Sequence, residues 1–125
     1  MPSDFTQLNV WREAISFCKS VYDVLKNFPT IELNNIVSQL RRASVSISTN
    51  IAEGCGKTGF RDEMSFLRIA QGSTKECMSL LLLSRELGYL SEDKCLNLFD
   101  QAEKISKMLT LLIRSKKTKY EDFRK

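Results

Sequence analysis

Apolar residues recur every three or four positions through four long segments of the chain. This spacing places them along one side of a helix. Only five glycines and two prolines interrupt 125 residues, which favours long helices over many short strands. In the first segment the repeated residues are Trp11, Ala14, Cys18, Val21, Leu25 and Phe28. The predicted helices cover residues of about 9–27, 30–53, 59–87 and 91–114.

The connections between the predicted helices are short. They centre on residues 28–29, 54–58 and 88–90, and short loops make consecutive helices antiparallel neighbours. We therefore predict an all-α, antiparallel, up-down-up-down four-helix bundle over residues 1–113, followed by a basic C-terminal tail over residues 114–125.

Residues 50–60, NIAEGCGKTGF, contain the Gly-Lys-Thr end of a phosphate-binding loop. That loop reads G-x-x-x-x-G-K-[ST] and follows a strand. Here Ile51 occupies the first glycine position, and the stretch follows a helix. We therefore interpret it as a helix junction, in which Gly54 ends the second helix in the left-handed conformation and Thr58 caps the third. Lys57 remains near a helix N-terminus, where phosphate binds readily.

The chain has four cysteines and no histidine. The cysteines form no C-x-x-C pair, and zinc sites need clustered ligands, so we expect no metal and no cofactor. Cys18, Cys77 and Cys95 fall on apolar stripes, where cysteine packs as a small hydrophobe. Without histidine the usual general base and histidine-activated nucleophiles are missing, so we expect no enzymatic activity.

The N-terminal sequence MPSDFTQLNVW has no secretory signal pattern. No apolar run approaches the ~20 residues that cross a membrane. We therefore expect a cytoplasmic protein without a membrane partner.

Two predicted helices carry more apolar residues than one bundle face buries, which is a stripe of roughly 100°. Four consecutive leucines at 80–83 point in several directions, and the first helix has a second apolar stripe. Soluble monomers avoid exposed apolar patches, so we predict an interface between copies, and contact between two different faces builds rings. The interface residues are Phe66, Ile69, Leu80 and Leu83 of the third helix and Val10, Phe17 and Val24 of the first.

Positive charge is concentrated at the C-terminal end. Residues 1–113 carry 13 basic and 13 acidic side chains, whereas residues 114–125 carry six basic and two acidic ones. This end is either a solvated, frayed terminus or an arm for nucleic-acid phosphates. Arg41 and Arg42 either form surface ion pairs or a basic patch. The candidate nucleic-acid-binding residues are Arg41, Arg42, Lys57, Arg61, Lys116, Lys117 and Lys119.

Asn50 lies on the apolar seam of the second helix. Since a buried amide needs a hydrogen-bond partner, we predict a bond to another helix or to neighbouring backbone. Glu53 is expected to pair with Arg42 or to cap a helix end.

Two stretches, QLRRASVSISTNIAEG at 39–54 and FLRIAQGSTKE at 66–76, resemble a family of small four-helix bundle proteins encoded within intervening sequences of bacterial 23S ribosomal RNA genes. The resemblance extends to about residue 113. It implies a homopentamer with no established enzymatic activity and an RNA role inferred from gene location. The accessory protein of diversity-generating retroelements, a pentameric barrel that binds nucleic acid and a reverse transcriptase, is similar in fold. The family's signature positions here are Arg41, Arg42, Asn50, Glu53 and Gly54.

Two functions remain open from the sequence. The first is a non-enzymatic oligomeric module that binds structured RNA or DNA. The second is a protein–protein scaffold or adaptor without a nucleic acid. Under both functions we expect the chain to associate with further copies of itself.

Overall fold

A computed structural model describes residues 4–57 and 59–125. Within these residues there are four long α-helices and no strands, which confirms the all-α prediction. The helices are α1 (Asn9–Leu25), α2 (Ile36–Cys55), α3 (Phe60–Glu86) and α4 (Glu92–Arg124). Short 3-10 helices at Phe5–Gln7 and Thr30–Glu32 precede α1 and α2.

The four helices surround one apolar core. Phe17 of α1, Ile47 of α2 and Leu81 of α3 are fully buried, as is Ile105 of α4. α1 packs against α2 and α4, and α3 packs against the same two helices. Each helix therefore buries residues toward two neighbours, which makes its apolar stripe wider than a single seam.

The width of that stripe changes the interpretation of α1. Val10 and Phe17 are buried in the core, and Val24 is half-buried against it. The structure thus places Val10 and Phe17 inside the bundle instead of at the predicted interface between copies. Trp11 and Cys18, from the other apolar series, lie half-buried at the edge of the core.

α2 begins later than predicted, at Ile36. Asn35 departs from helical backbone angles (φ −118°, ψ −107°), so the 3-10 helix at Thr30–Glu32 does not run on into α2. This segment is held by the Tyr89 hydroxyl, which donates to Glu32 Oε2 at 2.8 Å. The bond to this carboxylate raises the pKa of Tyr89.

α4 continues to Arg124 instead of ending near residue 114. Its last part loses the apolar 3-4 pattern, but two contacts hold it against the start of α3. The Tyr120 ring stacks on Phe60 with centroids 4.0 Å apart, and Lys116 Nζ lies 2.8 Å from Glu63 Oε2. The predicted basic tail is therefore an extension of α4.

Gly54 does not end α2 in the left-handed conformation. It is helical and buried, and α2 continues to Cys55. A Cβ at Gly54 would lie 3.3 Å from both Glu63 O and Phe66 Cβ. Gly54 therefore allows α3 to approach α2 closely. Among the described residues only Gly88 has a positive φ, and the predicted cap at Thr58 lies outside them.

Replacing Gly54 by valine is expected to destabilise the fold by about 1–3 kcal/mol, because the added methyls push α2 and α3 apart. Urea unfolding followed by circular dichroism measures this change. Gly72→Ala is the matched control: no atom lies within 4 Å of its Cβ position, so alanine should stabilise α3 by about 0.5–1 kcal/mol. An unchanged midpoint for Gly54→Val would contradict the close approach.

The cysteines are unpaired, and two of them are core residues. Burial raises the pKa of Cys77 to about 12 and also raises that of Cys95, so both thiols stay protonated at neutral pH. No three His, Cys, Asp or Glu residues cluster as metal ligands in residues 4–57 and 59–125. None of the helices within those residues is long and apolar enough to cross a membrane.

Candidate nucleic-acid interface

A groove of about 520 Å³ lies between the start of α1 and the end of α2. We call it the aromatic groove. Phe5, Trp11 and Ile15 line it on the α1 side, and Thr49, Glu53 and Lys57 line it on the α2 side. It therefore joins an apolar wall to one carboxylate and one ammonium group.

The aromatic wall is held in place by the turn before α1. Asp4 Oδ1 accepts hydrogen bonds from Thr6 Oγ1 at 2.6 Å and from the Thr6 N–H at 3.0 Å, and these bonds lower the pKa of Asp4. Arg12 Nε donates to Thr6 O at 2.9 Å. The Phe5 ring consequently meets Trp11 edge to face, with centroids 5.1 Å apart.

A second groove, of about 390 Å³, lies farther along α2 and includes Tyr22, Arg41, Arg42 and Asn50. The Arg41 guanidinium carbon lies 5.9 Å from the centroid of the exposed Tyr22 ring. Within residues 4–57 and 59–125, neither arginine has a carboxylate partner within 4.0 Å. Of the two alternatives for these arginines, the geometry favours a basic patch.

A third groove, along α1, shares Tyr22 with the second groove. The aromatic groove shares Thr49 with the second groove. We call the continuous surface made by the three grooves the α1–α2 face. Its charged residues are the cations Lys19, Lys26, Arg41, Arg42 and Lys57 and the acids Asp23 and Glu53. Among the described residues each acid forms one exposed ion pair, Asp23 with Lys26 at 3.4 Å and Glu53 with Lys57 at 3.9 Å, and exposed pairs of this kind contribute little binding energy.

The remaining predicted nucleic-acid residues lie elsewhere. Lys116 is paired with Glu63, in a crevice where α2, α3 and α4 meet the start of α1. Arg61 is exposed at the start of α3, whereas Lys117 and Lys119 are exposed on the α4 extension. The structure thus brings Arg41, Arg42 and Lys57 onto one face with aromatic side chains, whereas Lys116, Lys117 and Lys119 lie on α4.

Asn50 bonds within its own helix. Its Nδ2 donates to Ser46 O at 2.8 Å and to Ser46 Oγ at 2.9 Å. Ser73 Oγ of α3 donates to the same Ser46 Oγ at 2.8 Å, so Ser46 links Asn50 to α3. Glu53 pairs with Lys57 instead of Arg42. Asn50, through Ser46, and Gly54 therefore stabilise the α2–α3 contact. Asn50 also lines the second groove, and Glu53 lines the aromatic groove.

The outer side of α3 exposes part of the predicted interface. Ile69 is 48% exposed and Leu83 is 47% exposed, whereas Phe66 and Leu80 are half-buried. Leu87 is also exposed and was not predicted from the sequence. We call this surface the α3 face.

Comparison with models of protein families shows which family the chain belongs to. The model of the 23S rRNA-intervening sequence protein family matches residues 6–111. The chain belongs to this family. The match confirms the resemblance carried by the motifs of α2 and α3 and covers every groove-lining residue except Phe5.

A solved structure of a member of the S23 ribosomal protein family from Bacteroides thetaiotaomicron, of unknown function, has a similar fold. The TM-score is 0.75 at 21% sequence identity, and the alignment covers 83% of this chain and 97% of the other. At this identity the likeness shows the shared fold alone. A comparison with curated protein sequences finds no match.

Sequence reasoning missed Trp11 and Tyr22 of this intervening sequence protein. Periodicity assigned Trp11 to the core seam and gave Tyr22 no role. The available signal was their spacing: eleven residues is about three helical turns, so the two aromatics share one face of α1. That face adjoins Arg41, which the sequence had singled out.

Proposed function

We propose that this member of the 23S rRNA-intervening sequence protein family is a non-enzymatic module that binds structured RNA through the α1–α2 face. The observation that carries the proposal is Arg41 over the exposed Tyr22 ring, next to Arg42, with no carboxylate paired to either arginine among the described residues. The family's link to 23S rRNA makes RNA the expected class of partner.

The composition of this face suits RNA loops and ends. Lysine and arginine contact phosphates, and each neutralised phosphate releases counterions. Aromatic rings and guanidinium planes stack on unpaired bases, which is how single-stranded RNA is commonly recognised. The five cations and the rings of Trp11 and Tyr22 provide both contacts on one surface.

The proposal includes assembly into a ring-like homo-oligomer, for which the family resemblance suggests a pentamer. The α3 face supplies exposed apolar surface, although α1 does not offer the mating stripe expected from the sequence. The approach of Gly54, at the end of α2, to Glu63 and the stacking of Tyr120, near the end of α4, on Phe60 both involve the start of α3 and support the alternating up-down-up-down order within each copy. A ring would repeat the α1–α2 face and raise the avidity for one long RNA.

The test is a double substitution, Arg41→Ala with Arg42→Ala. We expect it to weaken binding to a 23S rRNA fragment at least about tenfold, because two charged contacts to phosphate are lost. Fluorescence anisotropy across a salt series measures the affinity, and the slope of log affinity against log salt should fall by about two.

Arg68→Ala with Lys75→Ala is the matched control, since it removes two exposed cations from α3 and leaves the α1–α2 face intact. Equal weakening of RNA binding by both double substitutions would mean that the net charge alone determines the affinity. Absence of wild-type binding even at low salt would refute RNA binding. A nuclease-resistant protein partner recovered in that case would favour the adaptor function.

A further inference from the structure

The aromatic groove combines features suited to a single unpaired base. Its volume of about 520 Å³ falls within the usual range for small-ligand sites, about 300–1,000 Å³. Its aromatic wall is fixed by the contact between Phe5 and Trp11 and by the hydrogen-bonded turn around Thr6. A preformed wall lowers the cost of ordering the site when a base stacks there.

The α2 side of the groove presents mainly hydrogen-bond acceptors. The hydroxyl protons of Ser48 and Thr49 are both directed to Val45 O, at 3.3 Å and 2.8 Å, so their oxygens retain lone pairs for other donors. The Glu53 carboxylate is an acceptor on the next turn, and its side chain is 55% exposed. A base whose edge presents donors therefore suits this side of the groove.

Among the four RNA bases, guanine alone has two adjacent donors, N1–H and the N2 amino group, on its Watson–Crick edge. A carboxylate accepts such a pair in the bidentate manner that it uses for arginine. Adenine and cytosine place an acceptor nitrogen beside their amino group, which a carboxylate repels, and uracil offers one donor between two carbonyl groups.

Lys57 supplies the remaining charge. Its ammonium lies 3.9 Å from Glu53 Oε2 and 5.3 Å from the centroid of the Phe66 ring, and the Lys57 and Glu53 side chains are both exposed, so the lysine leaves these weak contacts readily. A phosphate on the sugar of a bound guanosine would then meet the lysine while the base meets the carboxylate.

We infer that the aromatic groove binds one unpaired guanosine nucleotide of an RNA loop or end, with the base against Phe5 and Trp11, its Watson–Crick edge on Glu53 and a phosphate on Lys57. This inference rests on the proposed function, because it assigns the groove as the base-reading part of the α1–α2 face.

The experiment uses Trp11, which is the single tryptophan of the chain. Hexauridine oligonucleotides with one central guanosine, inosine or adenosine are titrated against the full chain, and tryptophan quenching is recorded. The guanosine oligonucleotide should quench saturably and bind at least about tenfold more tightly than the adenosine one. Inosine lacks the N2 amino group and should fall between them. N-acetyltryptophanamide corrects for absorption of the exciting light by the RNA.

Two variants separate the roles of the charged residues. Glu53→Gln should reduce the preference for guanosine over adenosine to less than about threefold, because the amide replaces one of the two acceptor oxygens by an NH₂ donor and cannot pair with both guanine donors in the bidentate manner. Lys57→Ala should weaken the binding of all three oligonucleotides by a similar factor and preserve the preference for guanosine. Both positions are exposed, so an unchanged helical circular-dichroism signal is the expected check on folding.

The outcomes distinguish this inference from the proposed function. If the wild type binds the 23S rRNA fragment but shows equal quenching by guanosine and adenosine oligonucleotides, the guanosine site is refuted and RNA binding stands. If guanosine-dependent quenching occurs without binding to the fragment, the base site stands and the ribosomal target is refuted. A preference for guanosine that survives Glu53→Gln would refute the role of the carboxylate.

Discussion

Replacing Phe17 by alanine is expected to destabilise the folded chain by about 3–5 kcal/mol, the usual cost of removing a buried phenylalanine from a core. Phe17 has no exposed surface and lies near the centre of α1, among apolar residues of the bundle core. The loss combines the transfer free energy of the ring with the cavity that remains. Urea unfolding followed by circular dichroism measures the free energy of unfolding.

The control is Ile69→Ala, at an apolar position that is 48% exposed in the single chain. At low protein concentration its effect should stay below about 1 kcal/mol, since little buried surface is lost within the chain. The cost of Phe17→Ala should not depend on protein concentration, whereas a contribution from assembly would. A Phe17→Ala variant with native stability but a lower assembled mass would show that Phe17 lies at the interface between copies.

This contrast shows what hydrophobic periodicity could predict in α1. The 3-4 spacing identified the helix and its apolar side, but α1 has two adjacent apolar series, one through Trp11 and Cys18 and one through Val10 and Phe17. How much of each series is buried depends on the directions of the neighbouring helices. Because α1 packs against both α2 and α4, Phe17 is buried together with Ala14 and Val21 of the first series, whereas Trp11 borders a groove.

The other differences also arise from contacts distant in sequence. A glycine near a helix end commonly marks the point where the helix stops. Gly54 instead leaves the space in which α3 approaches α2, and the local sequence does not encode this contact. The α4 extension lacks an apolar repeat and is held by Phe60 and Glu63 from another helix. Charge predicted Arg41 and Arg42 as site residues, while their aromatic neighbour Tyr22 emerged only once α1 and α2 were packed together.

Leu83→Asp is expected to convert the proposed ring into single chains. Leu83 is 47% exposed on the α3 face, so a carboxylate there stays hydrated in an isolated chain and leaves its helices intact. At an interface the same carboxylate would be removed from water without a partner. The free-energy cost of burying this charge exceeds what a small apolar contact contributes to assembly. Leu80 is a poorer test, because it packs against the core and its replacement would also weaken the fold.

Light scattering coupled to chromatography measures this effect, with Ile31→Asp as the control for adding one acid at an exposed apolar position outside α3. We expect an assembled wild type, an assembled Ile31→Asp variant and a monomeric Leu83→Asp variant with an unchanged helical signal. A monomeric wild type would refute the ring, and an assembled Leu83→Asp variant would move the interface away from the α3 face. Because a ring repeats the α1–α2 face, the monomeric variant should also bind a long 23S rRNA fragment more weakly. It should bind the uridine hexamer that contains one guanosine with unchanged affinity, since that hexamer engages one groove at a time.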